Sequence, residues 1–295
     1  MNWNHYLTPL SVEEALTCLA EASGPACPIG GGTDLLIEIQ QGHHPPVDTL
    51  VDLTFIEELS CIEVRENELF IGAAAPVGRI AESGLVKKEA QAVSEACAVI
   101  GGPQVRNSAT LGGNVAHALP AADGMLALVA MDAVVEIASM EGRQKASILS
   151  LFAGPGKSTL DTRRELLVGF SIAMGGRDEG SSFCRVMRPQ GVALPVLNMA
   201  VWVGRDGERI REARVAVGPA GPVPQRARAV EDFLRGMKYG PELVRSVEEV
   251  WRTSTHFRSS PRRATAEYRR HLSGILFEEA IENAWQRSFI AETEN

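Results

Sequence analysis

The chain has 295 residues, with 29 Lys and Arg against 37 Asp and Glu, a formal net charge of −8. An acidic balance of that size gives no broad field to draw in nucleic acid or an anionic membrane surface. With 45% hydrophobic and 22% charged residues, disorder is expected only at the ends, and the length predicts two domains or one domain with subdomains.

In chain order, Ser11 and Glu14 form a capping box, and Ala15, Leu16, Leu19 and Ala20 share one face, so 11–22 is predicted helical. Residues 27–29 read as a short strand running into Gly30-Gly31-Gly32, after which Thr33 and Asp34 can cap a helix through Gln40. Strand 49–53 follows, then a hairpin over 61–72 turning at Glu66-Asn67, then helices near 79–84 and 88–99. Residues 124–133 read as a buried helix, and 133–138, 145–149 and 165–172 as strands. The glycine-rich polar stretch 175–182 is the expected linker. Beyond it come three strands, 181–187, 194–203 and 209–218, the last two joined by a turn at Asp206-Gly207. Three helical patterns follow at 225–236, 241–253 and 263–288. Strands followed by helices indicate an α+β unit, not βαβ repeats. The basic pairs Arg262-Arg263 and Arg269-Arg270 sit among helix formers and read as solvated faces.

Several classes drop out. No run approaches the ~20 apolar residues of a membrane span. The opening "MNWNHYLTPLSVEEAL" lacks the basic region and apolar core of a leader. Cys18, Cys27, Cys61, Cys97 and Cys184 form no C-x-x-C pair, which excludes a zinc knuckle or a self-contained iron–sulfur site. An odd, dispersed set of thiols fits a reducing cytoplasm.

Three glycine loops compete for a phosphate-binding role. "GPGKST" (154–159) ends like a P-loop, but the required first glycine is Leu151, so the motif fails. "IGGGTDLL" (29–36) is not a dinucleotide-binding G-x-G-x-x-G, yet three glycines at a helix start can line a pocket with N–H groups. Thr33 adds a hydroxyl there, while Asp34 is awkward beside a diphosphate and is expected to cap the helix or bond a neighbouring loop. In "ATLGGNVAHALPAAD" (109–123), Thr110 offers a hydroxyl, Gly112 and Gly113 offer N–H groups, Asn114 an amide and Asp123 an acceptor. Two such loops about 80 residues apart suggest one long ligand gripped from two sides.

The motifs "PIGGGTDLL", "GGPQVRNSATLGGN", the later Asp123, "GPGKSTL" and "AEYRRHLSGIL", in this order, resemble the FAD-binding medium subunits of molybdenum hydroxylases. Bacterial xanthine dehydrogenase and aerobic carbon monoxide dehydrogenase have such flavoprotein chains, and the likeness spans essentially the whole sequence. The resemblance implies an α+β architecture: a vanillyl-alcohol-oxidase-like (PCMH-type) FAD-binding domain over 1–175, a linker over 176–182, and a smaller antiparallel-sheet-plus-helix domain over 183–290. The first domain would comprise two α/β subdomains with a break near 55–60. By position, Ile29, Gly30, Gly31, Gly32, Thr33, Asp34 and Leu35 would wrap the FAD diphosphate, as would Thr110, Leu111, Gly112, Gly113 and Asn114. Ile100 and Leu166 would touch the ring system or its edge, Asp123 would bond the cofactor, and 183–188 would close over the flavin.

The resemblance further implies an electron relay. A large partner would carry the molybdenum cofactor and a small partner two [2Fe–2S] clusters, in a heterotrimer or its dimer. Electrons would leave through FAD to NAD or another acceptor such as a quinone. No metal, nucleic acid or membrane insertion is expected of this chain, and no acid, base or nucleophile is assigned; His117 reads as a surface or hydrogen-bonding residue. The sequence departs from many relatives in 188–197, where Val192 and Ala193 stand in place of an aspartate and an aromatic, beside Pro189. It also lacks the cysteine-rich insert of benzoyl-CoA-type relatives. A stand-alone flavin oxidoreductase and a flavin-free scaffold subunit are the alternatives.

Overall fold

The computed structural model describes residues 3–188, 194–261 and 263–289. The expectation attached to Pro189, Val192 and Ala193 lies outside the described residues. The architecture is α+β, built on three principal sheets.

The first sheet is small and parallel, in the order β1 (His5–Leu7), β3 (Thr49–Asp52), β2 (Ala26–Ile29). Its crossovers are α1 (Val12–Glu21) and α2 (Leu35–Gln40). Ser11 accepts from Glu14 N, and Leu10 N donates to Glu14 Oε2, so the capping box forms as read. Asp34 occupies the N-cap position of α2, but its side chain makes no capping bond, contrary to expectation.

After α3 (Glu57–Ser60), an antiparallel sheet runs in the order β4 (Ile62–Arg65), β5 (Glu68–Gly72), β10 (Glu165–Ala173), β6 (Val134–Ser139), β7 (Gly142–Ser147). Between β5 and β6 lies a helical layer: α4 (Val77–Glu82), α5 (Gly84–Glu89), α6 (Gln91–Ala98), α7 (Pro103–Ser108), α8 (Leu111–Ala116) and α9 (Asp123–Ala130). Helices α7 and α8 lie inside the glycine-flanked stretch that reads as loop. Their apolar content is too low to show a helical period, and Thr110 as N-cap is the local signal for α8. Helix α9 is buried on every side, as its unbroken apolar run requires. The short hairpin of β8 (Phe152–Gly154) and β9 (Lys157–Ser158) carries "GPGKST".

The third sheet is fully antiparallel: β11 (Glu179–Met187), β12 (Pro195–Asp206), β13 (Arg209–Gly218) and β14 (Gln225–Arg226). Strand β11 begins inside the stretch read as linker, because Glu179 to Ser182 already pair with β12. One face of this sheet buries Leu197, Met199, Val201 and Val215 against α10 (Arg228–Leu234), α11 (Pro241–Ser254) and α12 (Ala266–Arg287). The other face contributes Phe183, Ala200, Trp202 and Ala216 to the core around α6 and α9. The sheet is therefore buried on both sides, and its strands read as continuous apolar runs for that reason. The basic pair at 269–270 is not a solvated face throughout: Arg269 is 0% exposed and Arg270 is exposed.

No helix among the described residues is long and apolar enough to cross a membrane. None of their His, Cys, Asp and Glu side chains cluster as a metal site.

Candidate functional site: two glycine turns and a buried carboxylate

Strand β2 delivers the chain into Gly30. Leu53 N donates to Ile29 O on one side of the turn, and Leu36 N to Gly32 O on the other. Between these anchors, the N–H groups of Gly30, Gly31, Gly32, Thr33, Asp34 and Leu35 donate to no protein acceptor among the described residues. The turn is part-buried, and its last donors stand at the start of α2, where the first N–H groups of a helix have no intrahelical partner and are open to water or a ligand. A succession of unclaimed donors in one turn is a concavity for an anion. The φ of +66° at Gly32 is what bends the backbone to make it.

The second glycine pair works differently. Thr110 Oγ1 accepts from Gly113 N at 3.1 Å and Thr110 O from Asn114 N at 3.0 Å. Gly112 N donates to Ala73 O at 2.8 Å, and Leu111 N to Ala75 O at 3.2 Å. The expectation that Gly112 and Gly113 aim their N–H groups at a phosphate is thus corrected: those donors hold α8 against the end of β5. What this turn contributes is closeness. A Cβ at Gly112 would lie 2.5 Å from Ala73 O, one at Gly31 would lie 1.9 Å from Ser108 O, and one at Gly30 would lie 2.7 Å from Thr110 Oγ1. The two turns touch backbone to backbone, which only glycine permits.

They are joined a second time by side chains. His117 Nε2, at the end of α8, lies 2.9 Å from Glu38 Oε1 on α2. Substituting His117 with Ala is expected to weaken flavin retention several-fold without changing thermal unfolding by more than a few degrees, as read by equilibrium dialysis and calorimetry. The pair is half-exposed, and such contacts contribute ~1 kcal/mol at most.

A cavity between the turns is lined by Pro28, Gly30, Thr110, Gly112, Gly113 and Ala116, with Leu166 and Leu167 on its far wall. The structure thus brings Gly30, Thr110, Gly112, Gly113 and Leu166 together. Ile29 and Leu111 point into the core. Ile100, Asn114 and Asp123 form a second group at the start of α9: a Cβ on Gly124 would meet Leu111, Asn114 Oδ1 and Ile100. Asn114 Oδ1 accepts from Met125 N at 3.0 Å, and Arg106 donates to Gly101 O at 2.9 Å and Ile100 O at 3.3 Å. These polar residues shape the loop that carries Ile100.

Asp123 is buried beneath the sheet of β11 to β14. Its Oδ2 accepts from Arg185 Nη1 of β11 at 2.5 Å, and its Oδ1 from Asn198 Nδ2 of β12 at 2.7 Å. Burial is the largest influence on this carboxyl and pushes it up to about 6, against the opposing pull of the Arg185 charge and the Asn198 amide. The native chain therefore binds this proton more tightly than the unfolded chain does. The contribution of Asp123 to stability falls as pH rises from about 4 to about 6 and is level above that. The unfolding free energy of the wild type, minus that of Asp123→Asn, is expected to decline by about 2 kcal/mol between pH 4 and pH 7 in urea titrations; a flat difference would refute the shift.

Sequence reasoning missed Glu38 and Asn198, and singled out Arg185 only as part of 183–188, without its pairing to Asp123. Each meets its partner across 62 or more positions of sequence, and no local pattern announces such a pairing.

An unclaimed N–H turn packed on a second glycine turn suits the diphosphate of a dinucleotide cofactor. Comparison with known proteins agrees. Residues 2–173 match the family model of the FAD binding domain in molybdopterin dehydrogenase, and 181–284 match that of the CO dehydrogenase flavoprotein C-terminal domain. The chain is 30% identical over 237 residues to the nicotinate dehydrogenase FAD-subunit of Eubacterium barkeri, covering 78% of this chain and 79% of that one. It is 28% identical over 281 residues to the xanthine dehydrogenase FAD-binding subunit of Escherichia coli O157:H7, covering 95% of each. Among solved structures, carbon monoxide dehydrogenase from Hydrogenophaga pseudoflava superposes with a TM-score of 0.88 at 25% identity, covering 97% of this chain and 98% of that one. Glycine turns, sheet order and whole-chain similarity together place this chain in the family of FAD-binding flavoprotein subunits of molybdopterin dehydrogenases, which are oxidoreductases.

Proposed function

We propose that this chain is the electron-transfer flavoprotein subunit of a molybdenum hydroxylase complex. In that role it takes electrons from the [2Fe–2S] clusters of a small partner subunit and passes them through FAD to NAD or another acceptor. The molybdenum cofactor would reside in a large partner, the three chains forming a heterotrimer or its dimer in the cytoplasm. The observation that carries the reading is the run of unclaimed N–H groups from Gly30 to Leu35, closed by the second glycine turn.

FAD, when bound, supplies the redox chemistry; the chain supplies binding, orientation and electrostatics. The turn from Ile29 to Leu35 holds the diphosphate without a lysine or arginine cluster, and Thr110 to Asn114 form the opposing wall. Leu166 and Ile100 bear on the ring system or its edge. Asp123, already gripped by Arg185 and Asn198, ties residues 1–175 to residues 183–290, so the segment 183–188 is held where it can close over the flavin. Relatives are named for nicotinate, xanthine, nicotine and carbon monoxide, so the choice of substrate lies outside this chain.

The test is the visible spectrum of the purified chain, followed by release and identification of its flavin. One FAD per chain, reduced only when the partner subunits and their substrate are present, supports the reading. Steady turnover of an organic substrate by the chain alone would replace it with a self-sufficient flavin oxidoreductase. Failure to bind FAD, even with partners, would leave a scaffold subunit.

A further inference from the structure

Strand β3 ends on Asp52, which is only 6% exposed. A carboxylate at that depth ordinarily has a cation beside it. Among the described residues, no lysine, arginine or histidine forms an ion pair with Asp52. Its partners are three neutral donors instead. Tyr6 Oη donates to Oδ2 at 2.7 Å, while Thr54 N and Thr54 Oγ1 donate to Oδ1 at 2.9 Å and 2.7 Å. Burial, the bond to Asp52 and the Asp52 charge push the Tyr6 hydroxyl up to about 12, so it stays a donor. Both carboxylate oxygens are taken up by the chain itself, so Asp52 acts on its neighbours and not on a ligand.

Those neighbours frame the glycine turn. In the parallel ladder Asp52 stands opposite Ile29, the last strand residue before Gly30. Leu53 N donates to Ile29 O at 2.9 Å, and Leu53 forms part of the cavity wall with Pro28 and Gly30. The segment beyond it has little packing to hold it: Thr54 is exposed, Phe55 is 59% exposed, and the next buried side chain is Ile56. The bonds from Thr54 to Oδ1 bracket Leu53 from its other side, in an Asx turn that fixes the direction of the chain. Tyr6 reaches Oδ2 from β1, where it pairs with Leu50 and so shares a face of the sheet with Asp52. One carboxylate thus ties an edge strand, the central strand and the cavity-wall loop together. It does so at the carboxyl ends of parallel strands, where open α/β sheets bind their ligands.

We propose that Asp52, held by Tyr6 and Thr54, is a positioning residue for the cofactor: it sets Leu53 against the cavity and, through the Leu53 N–H, anchors the Ile29 end of the glycine turn. The inference rests on the flavin reading for the identity of the ligand. What the position requires is acceptors and not charge. An asparagine can keep its oxygen on Thr54 and turn its amide toward Tyr6 Oη, since a hydroxyl accepts as well as donates. Asp52→Asn therefore preserves the tie, and Asp52→Ala abolishes it.

The test is titration of the flavin-stripped full chain with FAD, followed by flavin fluorescence, with calorimetric unfolding of each apo variant. Asp52→Ala is expected to raise the Kd for FAD about tenfold or more, and Asp52→Asn to return it to within about threefold of the wild type. Tyr6→Phe and Thr54→Val each remove one hydroxyl from a solvent-exposed residue. Each is expected to raise the Kd several-fold with unfolding temperatures close to the wild type, so the test survives if Asp52→Ala does not fold. In the Asp52→Ala background, Tyr6→Phe is expected to add nothing, because its acceptor is already gone. Wild-type affinity in Tyr6→Phe and Thr54→Val would overturn the assignment, as would an Asp52→Asn chain that binds as weakly as Asp52→Ala. A wild type that binds no FAD would overturn the flavin reading and this assignment together, whereas unchanged variants beside a binding wild type overturn this assignment alone.

Discussion

Gly31→Ala is expected to strip the chain of its flavin. The added methyl would lie 1.9 Å from Ser108 O, 2.4 Å from its carbonyl carbon and 2.8 Å from Ala109 Cα. All three are backbone atoms at the end of α7, so no rotamer change relieves the clash. The two glycine turns must part, and the N–H groups from Gly30 to Leu35 move with them. Overpacking of this kind costs roughly 1–3 kcal/mol even where neighbours can yield, and misplacing an array of donors adds to it. A loss of FAD affinity of about a hundredfold or more follows, each ~1.4 kcal/mol being tenfold. The measurement is flavin released per chain after gel filtration, with circular dichroism to confirm that the fold persists. Gly84→Ala is the contrasting control: this exposed position is outside the two turns and its methyl would meet nothing within 4 Å, so the flavin should remain. Full flavin occupancy in Gly31→Ala would show that the cofactor does not sit between these turns.

Asp123→Ala is expected to be the most destabilising single change at the junction of the two sheet systems. It leaves the Arg185 guanidinium, whose side chain is only 11% exposed, without its carboxylate, and leaves the Asn198 amide only its longer bond to Ala121 O, at 3.5 Å. Breaking a buried ion pair from one side typically costs about 3–5 kcal/mol, because the abandoned charge stays buried. Replacing both members, as in Asp123→Leu with Arg185→Met, is expected to recover most of that loss in urea unfolding. The coupling in this double-mutant cycle separates the pair from its parts. A single-variant loss below ~1 kcal/mol would mean that apolar packing of Phe183, Ala200 and Trp202 on α6 and α9 holds the junction without the pair. Flavin retention should fall with Asp123→Ala as well, since Asp123 neighbours Ile100 and Asn114 at the start of α9.

Much of this was legible in one dimension. The capping box at Ser11, the tight turn after β12, which falls on Gly207-Glu208 and so one residue later than read, and the apolar run of α9 are local signals, because each depends on contacts or solvation within a few residues. Gly30-Gly31-Gly32 was legible as a bare turn for the same reason. The roles within the second turn were not. Thr110 to Asn114 looks equally able to donate to a phosphate or to cap a short helix, and the competition was settled by Ala73 O and Ala75 O, which arrive from β5. Arg269 and Arg270 look alike in sequence, yet one is sealed beneath Arg258 and Pro219 and the other faces water, because consecutive helical positions lie about 100° apart around the axis.

The sequence by itself determined the fold class, the two glycine turns and the family, since hydrophobic period, capping and backbone permissiveness are properties of short segments. The tertiary structure alone decided which N–H groups stay unclaimed, that Asp123 answers to Arg185 and Asn198, and that Arg269 is buried while Arg270 faces solvent. Each of those depends on atoms brought together from distant positions in the chain, where solvation and Coulomb energy are fixed by packing and not by neighbouring residues.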